Sequence, residues 1–162
     1  MHMKKINVLF VCMGNICRSP TAQGVFERVV REAGLQGRIE VDSAGTHAYH
    51  VGEGPDRRSQ EAALRRGIDL SAQRARQVTD RDFLAFDYVL AMDAANDRAL
   101  LARCDAEHRS RVRRFMEFAP DSGATEVPDP YYGGGRGFEQ VLDLVEQASA
   151  GLLASIRRDH GL

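Results

Sequence analysis

Ile6 to Val11 (INVLFV) is a short, mostly apolar run rich in β-branched residues. Such a run reads as a strand buried on both faces, as in a parallel sheet. It ends at Cys12, and a short loop leads directly to helix signals. Ser19 and Pro20 read as an N-cap and first helical residue, Ala22, Val25, Phe26, Val29, Val30 and Ala33 repeat at helical spacing, and Gly34 supplies the stop. A buried strand, a tight loop and a helix in immediate succession restrict the chain to folds built from strand–helix–strand units.

The alternation continues. Ile39 and Val41 lead a second strand into Asp42-Ser43-Ala44-Gly45, and a helix over Asp56 to Arg66 closes at Gly67. Tyr88 to Met92 reads as a third buried strand, Ala94 to Arg103 as a helix, and Val112 to Met116 as a fourth strand with outward arginines. A long polar loop carries Pro120, Pro128 and Pro130, and a helix marked by Phe138, Val141, Leu142, Val145, Leu152, Leu153 and Ile156 ends the chain. The expected fold class is α/β: a three-layer sandwich with a four-stranded parallel sheet, doubly wound and flavodoxin-like. Residues 1–162 are expected to form one domain, with residues 1–4 as a flexible N-terminus. Sites on such sheets lie beyond the carboxyl ends of the strands, which is where Cys12 falls.

Composition narrows the partners. Twenty-two basic residues almost balance 23 acidic ones, so no global field draws the chain to nucleic acid, and any anion must be captured locally. The longest apolar runs fall far below the roughly 20 residues needed to cross a bilayer. Membrane insertion is therefore not expected, and without a signal-type leader the expected location is the cytoplasm. Three cysteines are too few for a disulfide framework and suit an intracellular thiol that is catalytic, redox-active or simply buried.

The segment from Cys12 through Met13, Gly14, Asn15, Ile16, Cys17, Arg18 and Ser19 sets a cysteine and an arginine around a five-residue loop at a helix start. A loop wrapping an anion turns several backbone N–H groups inward, which needs residues tolerant of positive φ. Gly14 and Asn15 are the two best suited. The helix start adds N–H groups and partial positive charge, and Arg18 offers two parallel donors. These surroundings favour negative charge on sulfur, which makes Cys12 a candidate nucleophile beneath a bound phosphate. Ser19 is placed to help the sulfur depart. Asp129, in Asp129-Pro130-Tyr131-Tyr132, is the candidate general acid, with the tyrosines as an aromatic wall for a flat substrate.

The segments VCMGNICRSPTAQ, VDSAGT, ARQVTDRDF, AMD and DPYY, spread over nearly the whole chain, together resemble the low-molecular-weight protein tyrosine phosphatase family. The resemblance implies hydrolysis of phosphotyrosine in proteins without cofactor or metal. It implies Cys12 as nucleophile, Arg18 as the phosphate-binding arginine, Asp129 as general acid, Asn15 as a brace and Ser19 as an aid to the leaving thiolate. It further places Tyr49 and Tyr131 on either side of the substrate ring. Cys17 matches a second loop cysteine that traps an oxidised nucleophile as a disulfide, with a purely structural thiol as the alternative. Gln73 stands where many eukaryotic members carry a histidine in a hydrogen-bond network reaching the loop serine. An amide there keeps hydrogen bonds but does not titrate.

Two rival activities share this fold. Thiol-dependent arsenate reductases resemble a chain with two further cysteines near the third strand, where this sequence has only Cys104. Arginine phosphatases resemble CTGNTCRSP, with threonine where Ile16 stands, and an apolar side chain suits an aryl phosphate better. The five histidines read as surface residues without metal-ligand spacing, and Arg109, Arg111, Arg113 and Arg114 as a solvated strand face. The expected partner is a phosphotyrosine protein, and the expected state a monomer or weak dimer.

Overall fold

The structure, a computed structural model, describes residues 4–130 and 136–162. The expectations for residues 1–3 and for Tyr131 and Tyr132 lie outside them. Strands β1 (Ile6–Cys12), β2 (Ile39–Gly45), β3 (Tyr88–Ala91) and β4 (Val112–Arg114) form one parallel sheet in the order β2-β1-β3-β4. The helices are α1 (Arg18–Glu32), α2 (Arg57–Arg65), α3 (Asp82–Ala85), α4 (Ala94–Arg103) and α5 (Arg136–His160). The α/β layered arrangement is the one the alternating pattern predicts.

Strand periodicity sorts the core. Along β1, Val8, Phe10 and Cys12 join the cluster formed with α1 and α5, including Phe26, Leu142 and Ile156. Leu9 and Val11 join a smaller cluster with Phe83, Val89 and Leu100 on the opposite face. Phe10 is fully buried, edge-on to Phe26 and Phe115 at centroid distances of 5.7 and 5.0 Å. The same alternation that buries Phe10 therefore turns the Cys12 side chain toward the start of α1.

Two local expectations need correction, and two features go beyond what was expected. Helix α1 begins at Arg18 with Cys17 at its N-cap position, so Ser19 lies inside the first turn and caps nothing. Strand β4 ends at Arg114, because Phe115 turns wholly into the core and Phe115–Phe118 winds as a 3-10 turn. The short α3 was not anticipated; Asp82 starts it, accepting from the Thr79 N–H at 2.7 Å and pairing with Arg76 at 3.0 Å. The closing helix runs longer than its apolar stripe. Its first half is tied to α2 by Arg66, which reaches Glu139, Asp143 and Glu146 at 3.0, 3.0 and 3.3 Å. Among the described residues no helix is long and apolar enough to cross a membrane.

Candidate active site

β1 delivers Cys12 to the carboxyl edge of the sheet, and residues 13–17 turn there before α1 begins. Asn15 is the turning point, with φ +57°; among the described non-glycine residues it alone has positive φ, and Gly14, expected to share that role, does not. An L-residue holds this conformation only if its surroundings fix it. Asn15 is 3% exposed, and its side chain supplies that fixation. Its Nδ2 donates to Ser19 Oγ at 2.8 Å and Ser43 Oγ at 3.0 Å, and its Oδ1 accepts from the Arg76 N–H at 3.0 Å. The loop is also stitched to the end of β2, where Thr46 N–H donates to Cys12 O (2.9 Å) and His47 N–H to Met13 O (3.0 Å).

Cys12 is nearly buried, with Sγ 3.0 Å from Ser19 Oγ. Arg18 is 4% exposed, and its Nη1 donates to Asp93 Oδ2 at 2.6 Å and to Val127 O at 3.1 Å. Its Nη2 lies 3.7 Å from Asp129 Oδ2. Burial opposes charge on the guanidinium, yet Cys12, Asp93 and Asp129 together outweigh it and hold Arg18 above its ordinary value. Asp93 also caps α4, accepting from Asn96 N–H at 2.7 Å, so one carboxylate both starts a helix and orients the arginine.

These groups surround a cavity of about 270 Å³. Cys12, Arg18 and Asp129 line it, as do Met13, Gly14, Ile16, Cys17 and Tyr49. Asn15 and Ser19 stand behind the wall. Tyr49 is 70% exposed and stacks on His47 at 5.1 Å, forming a flat rim. A larger hollow of about 630 Å³ runs along β2, but it gathers Glu27, Arg31, Glu40 and Asp42 without a nucleophile.

Cys17 is buried, and burial above all, aided by the charges of Asp56, Cys12 and Asp129 against a Ser59 hydrogen bond, pushes its thiol up to about 12. It is a neutral thiol under ordinary conditions. Cys104 is buried in the smaller cluster, on the face of the sheet away from α1.

The sequence reading missed several contributors. His50, expected at the surface, lines the cavity with Nδ1 at 2.5 Å from Glu53 Oε2. Asp93 carried a readable signal as the polar residue before α4, but its partner Arg18 is 75 positions away. Gln73 does not join the loop network: its Nε2 donates to Pro20 O at 3.0 Å, while Ser43 Oγ donates to Gln23 Oε1 at 2.7 Å. In the basic stretch after α4, Arg109 is exposed as expected, whereas the other three arginines are engaged. Arg111 holds the Phe83, Leu84 and Phe86 carbonyls, Arg113 covers Phe118, and Arg114 pairs with Asp97. Asp105, Glu107 and His108 lie close enough to share a cation, yet Asp105 already caps its own turn and pairs with His108.

Comparison with known proteins agrees with this geometry. The family model described as low molecular weight phosphotyrosine protein phosphatase matches residues 7–161. The chain is 42% identical over 157 residues to the low molecular weight protein-tyrosine-phosphatase YfkJ of Bacillus subtilis, covering 97% of this chain and 99% of that one. It superimposes with a TM-score of 0.92 and 39% identity on a protein tyrosine phosphatase of Entamoeba histolytica holding Hepes in its active site, covering 97% and 99% of the two chains. At 26% identity and a TM-score of 0.86 it also resembles the arginine phosphatase YwlE, solved as a mutant with a phosphorylated active-site serine, covering 96% and 99%. With a family model matching residues 7–161, from the first strand to the end of the last helix, this chain belongs to the low molecular weight phosphotyrosine protein phosphatases.

Proposed function

We propose that the protein hydrolyses phosphotyrosine in proteins, and aryl phosphates generally, through a phosphocysteine intermediate on Cys12, with residues 1–162 acting as one phosphatase domain. The observation that carries this reading is Cys12 Sγ beneath a 270 Å³ cavity whose walls hold both Arg18 and Asp129. The phosphoryl group sits in the loop of residues 13–18, its oxygens facing backbone N–H groups and the Arg18 guanidinium. Thiolate attack forms the sulfur–phosphorus bond as the phosphorus–oxygen bond breaks, and Asp129 gives its proton to the departing phenol oxygen. Asp129, now a carboxylate, takes a proton from water; the hydroxide oxygen attacks phosphorus and the thiolate leaves. Ser19 Oγ, 3.0 Å from the sulfur, steadies the departing charge.

Tyr49 at the rim and Ile16 within the cavity support a flat aryl leaving group over a guanidino phosphate. Cys104, buried against the opposite face, offers no route for a disulfide relay of the arsenate reductase kind. The deciding experiment compares phosphotyrosine, phosphoserine and phosphoarginine peptides side by side, with and without EDTA, followed by acid trapping of the labelled enzyme. The reading expects aryl-ester preference indifferent to chelator and label on Cys12. Label elsewhere, or activity retained by Cys12→Ser, overturns it. Asp129→Ala should slow poor leaving groups more than good ones, by about two to four orders of magnitude for the poor ones.

A further inference from the structure

We infer that Gln23, on α1 and outside the cavity, is a positioning residue for the nucleophile: by accepting the Ser43 hydrogen it frees Ser43 to receive one from Asn15, and so steadies the run of hydrogen bonds from Asn15 to Cys12. The inference rests on the reading of Cys12 as nucleophile. It follows from counting hydrogens along contacts of 2.7 to 3.0 Å.

The chain starts at Glu27, one turn beyond Gln23; burial raises its carboxyl above the ordinary value, while the hydrogen bond to Gln23 favours the ionised form. An ionised carboxylate only accepts, so it takes the Nε2 end of the Gln23 amide and leaves Oε1 facing Ser43. Ser43 has a single hydroxyl hydrogen. Donating it to Gln23 Oε1 at 2.7 Å leaves only lone pairs for Asn15, whose Nδ2 lies 3.0 Å away. Asn15 has two hydrogens on Nδ2, and the second goes to Ser19 Oγ at 2.8 Å. With that lone pair engaged, the Ser19 hydrogen has two acceptors in reach: Cys12 Sγ at 3.0 Å and Ala44 O at 3.4 Å. The nearer is the sulfur.

Were the Gln23 amide reversed, both Gln23 and Asn15 would donate to Ser43, and the Ser43 hydrogen would lose its acceptor. The Asn15 anchor would then weaken, and Asn15 is the residue that holds positive φ at the centre of the loop. Ser43 and Asn15 are both buried, where a misdirected hydrogen bond is least forgiven. Gln73, the other neutral amide near this region, has no share in the chain.

The test uses two substitutions that both cost stability but differ in whether Ser43 keeps an acceptor. Gln23→Met removes the acceptor and leaves the buried Ser43 hydroxyl hydrogen unpaired, so unfolding stability should fall, and iodoacetate alkylation of Cys12 at fixed pH and kcat on p-nitrophenyl phosphate should fall with it about two- to ten-fold. Gln23→Glu retains an acceptor for Ser43 but sets like charges at i and i+4 with Glu27, so stability should fall while both rates stay within about two-fold of the parent. The inference is overturned if Gln23→Met matches the parent in both rates, or if rates simply follow stability across the two variants. Should the parent fail to turn over aryl phosphates while the alkylation contrast persists, the proposed function falls and the positioning role of Gln23 stands.

Discussion

Gly45→Ala should damage the loop of residues 13–17 from a position that does not line the cavity. A Cβ built on Gly45 would lie 2.8 Å from Met13 O, 3.1 Å from His47 O and 3.2 Å from Asn15 N. Carbon–oxygen contacts between backbones rarely close below about 3.3 Å, so one side has to yield by about 0.5 Å. The β2 side is pinned: Gly45 N–H donates to Arg76 O and Val78 N–H donates to Gly45 O, both at 2.8 Å. The displacement therefore goes into Met13 to Asn15. A 1 Å misplacement at a reacting centre costs about 100-fold, so half that distance predicts a fall of about ten-fold in kcat/KM. Overpacking adds about 1 to 3 kcal/mol of lost stability. Steady-state kinetics on p-nitrophenyl phosphate, inhibition by inorganic phosphate and urea unfolding read the three consequences, with Gly37→Ala, which meets nothing within 4 Å, as the control. A Gly45→Ala protein with kcat/KM within two-fold of the parent and unchanged phosphate inhibition would refute the reasoning.

Asp93→Ala removes both the α4 cap and the 2.6 Å partner of buried Arg18, and should cost about 2 to 4 kcal/mol by urea unfolding together with weaker phosphate binding. A loss under 1 kcal/mol would contradict that dual role. Because burial raises the Cys17 thiol from its ordinary 9.0 to about 12, its contribution to stability is complete below pH 9 and disappears as pH climbs from 9 to 12. That loss amounts to at most about 4 kcal/mol, and Cys17→Ala should flatten the alkaline limb of a stability–pH curve. The same neutral thiol is a slow partner for an oxidised Cys12, so dimedone added with one equivalent of peroxide should capture a sulfenic acid before any Cys12–Cys17 disulfide closes; immediate disulfide formation would argue otherwise. Inorganic phosphate at 100 times its Kd should stabilise the fold by about 2.7 kcal/mol, about 5 to 11 °C in Tm, and Arg18→Ala should abolish that shift.

What the sequence made legible was local. β1 announces itself through six residues, and α4 runs over the predicted Ala94 to Arg103. Cys12, Arg18 and Asp129 were found by residue type and motif, and the structure brings them to one cavity. What stayed hidden depends on contacts between distant segments. Gly14 and Asn15 are equally suited to a left-handed turn, and the choice falls on Asn15 because Ser43 and Arg76, 28 and 61 positions away, grip its amide. Gln23 and Gln73 are chemically identical, and only the packing of α1 against β2 decides which of them meets Ser43.

Ser19 shows why a local rule fails where chemistry intervenes. Ser-Pro is a strong helix-start signal, and a hydroxyl used as a cap contributes about 1 kcal/mol. Here the hydroxyl is turned to Cys12 and Asn15, and no side chain caps α1. The contrast with other described helices is direct: Asp56 caps α2, Asp93 caps α4 with Glu126 holding the Ala94 N–H, and Asp105 caps the 3-10 turn that follows. Nor does α1 carry an acidic residue in its first turn, where a carboxylate would compete with an incoming anion for the same N–H groups. Among the described helix starts, the one adjoining the cavity is thus left without a built-in anion. On the proposed reading, the stabilisation that a cap would give the empty protein is supplied by the phosphoryl group when it binds.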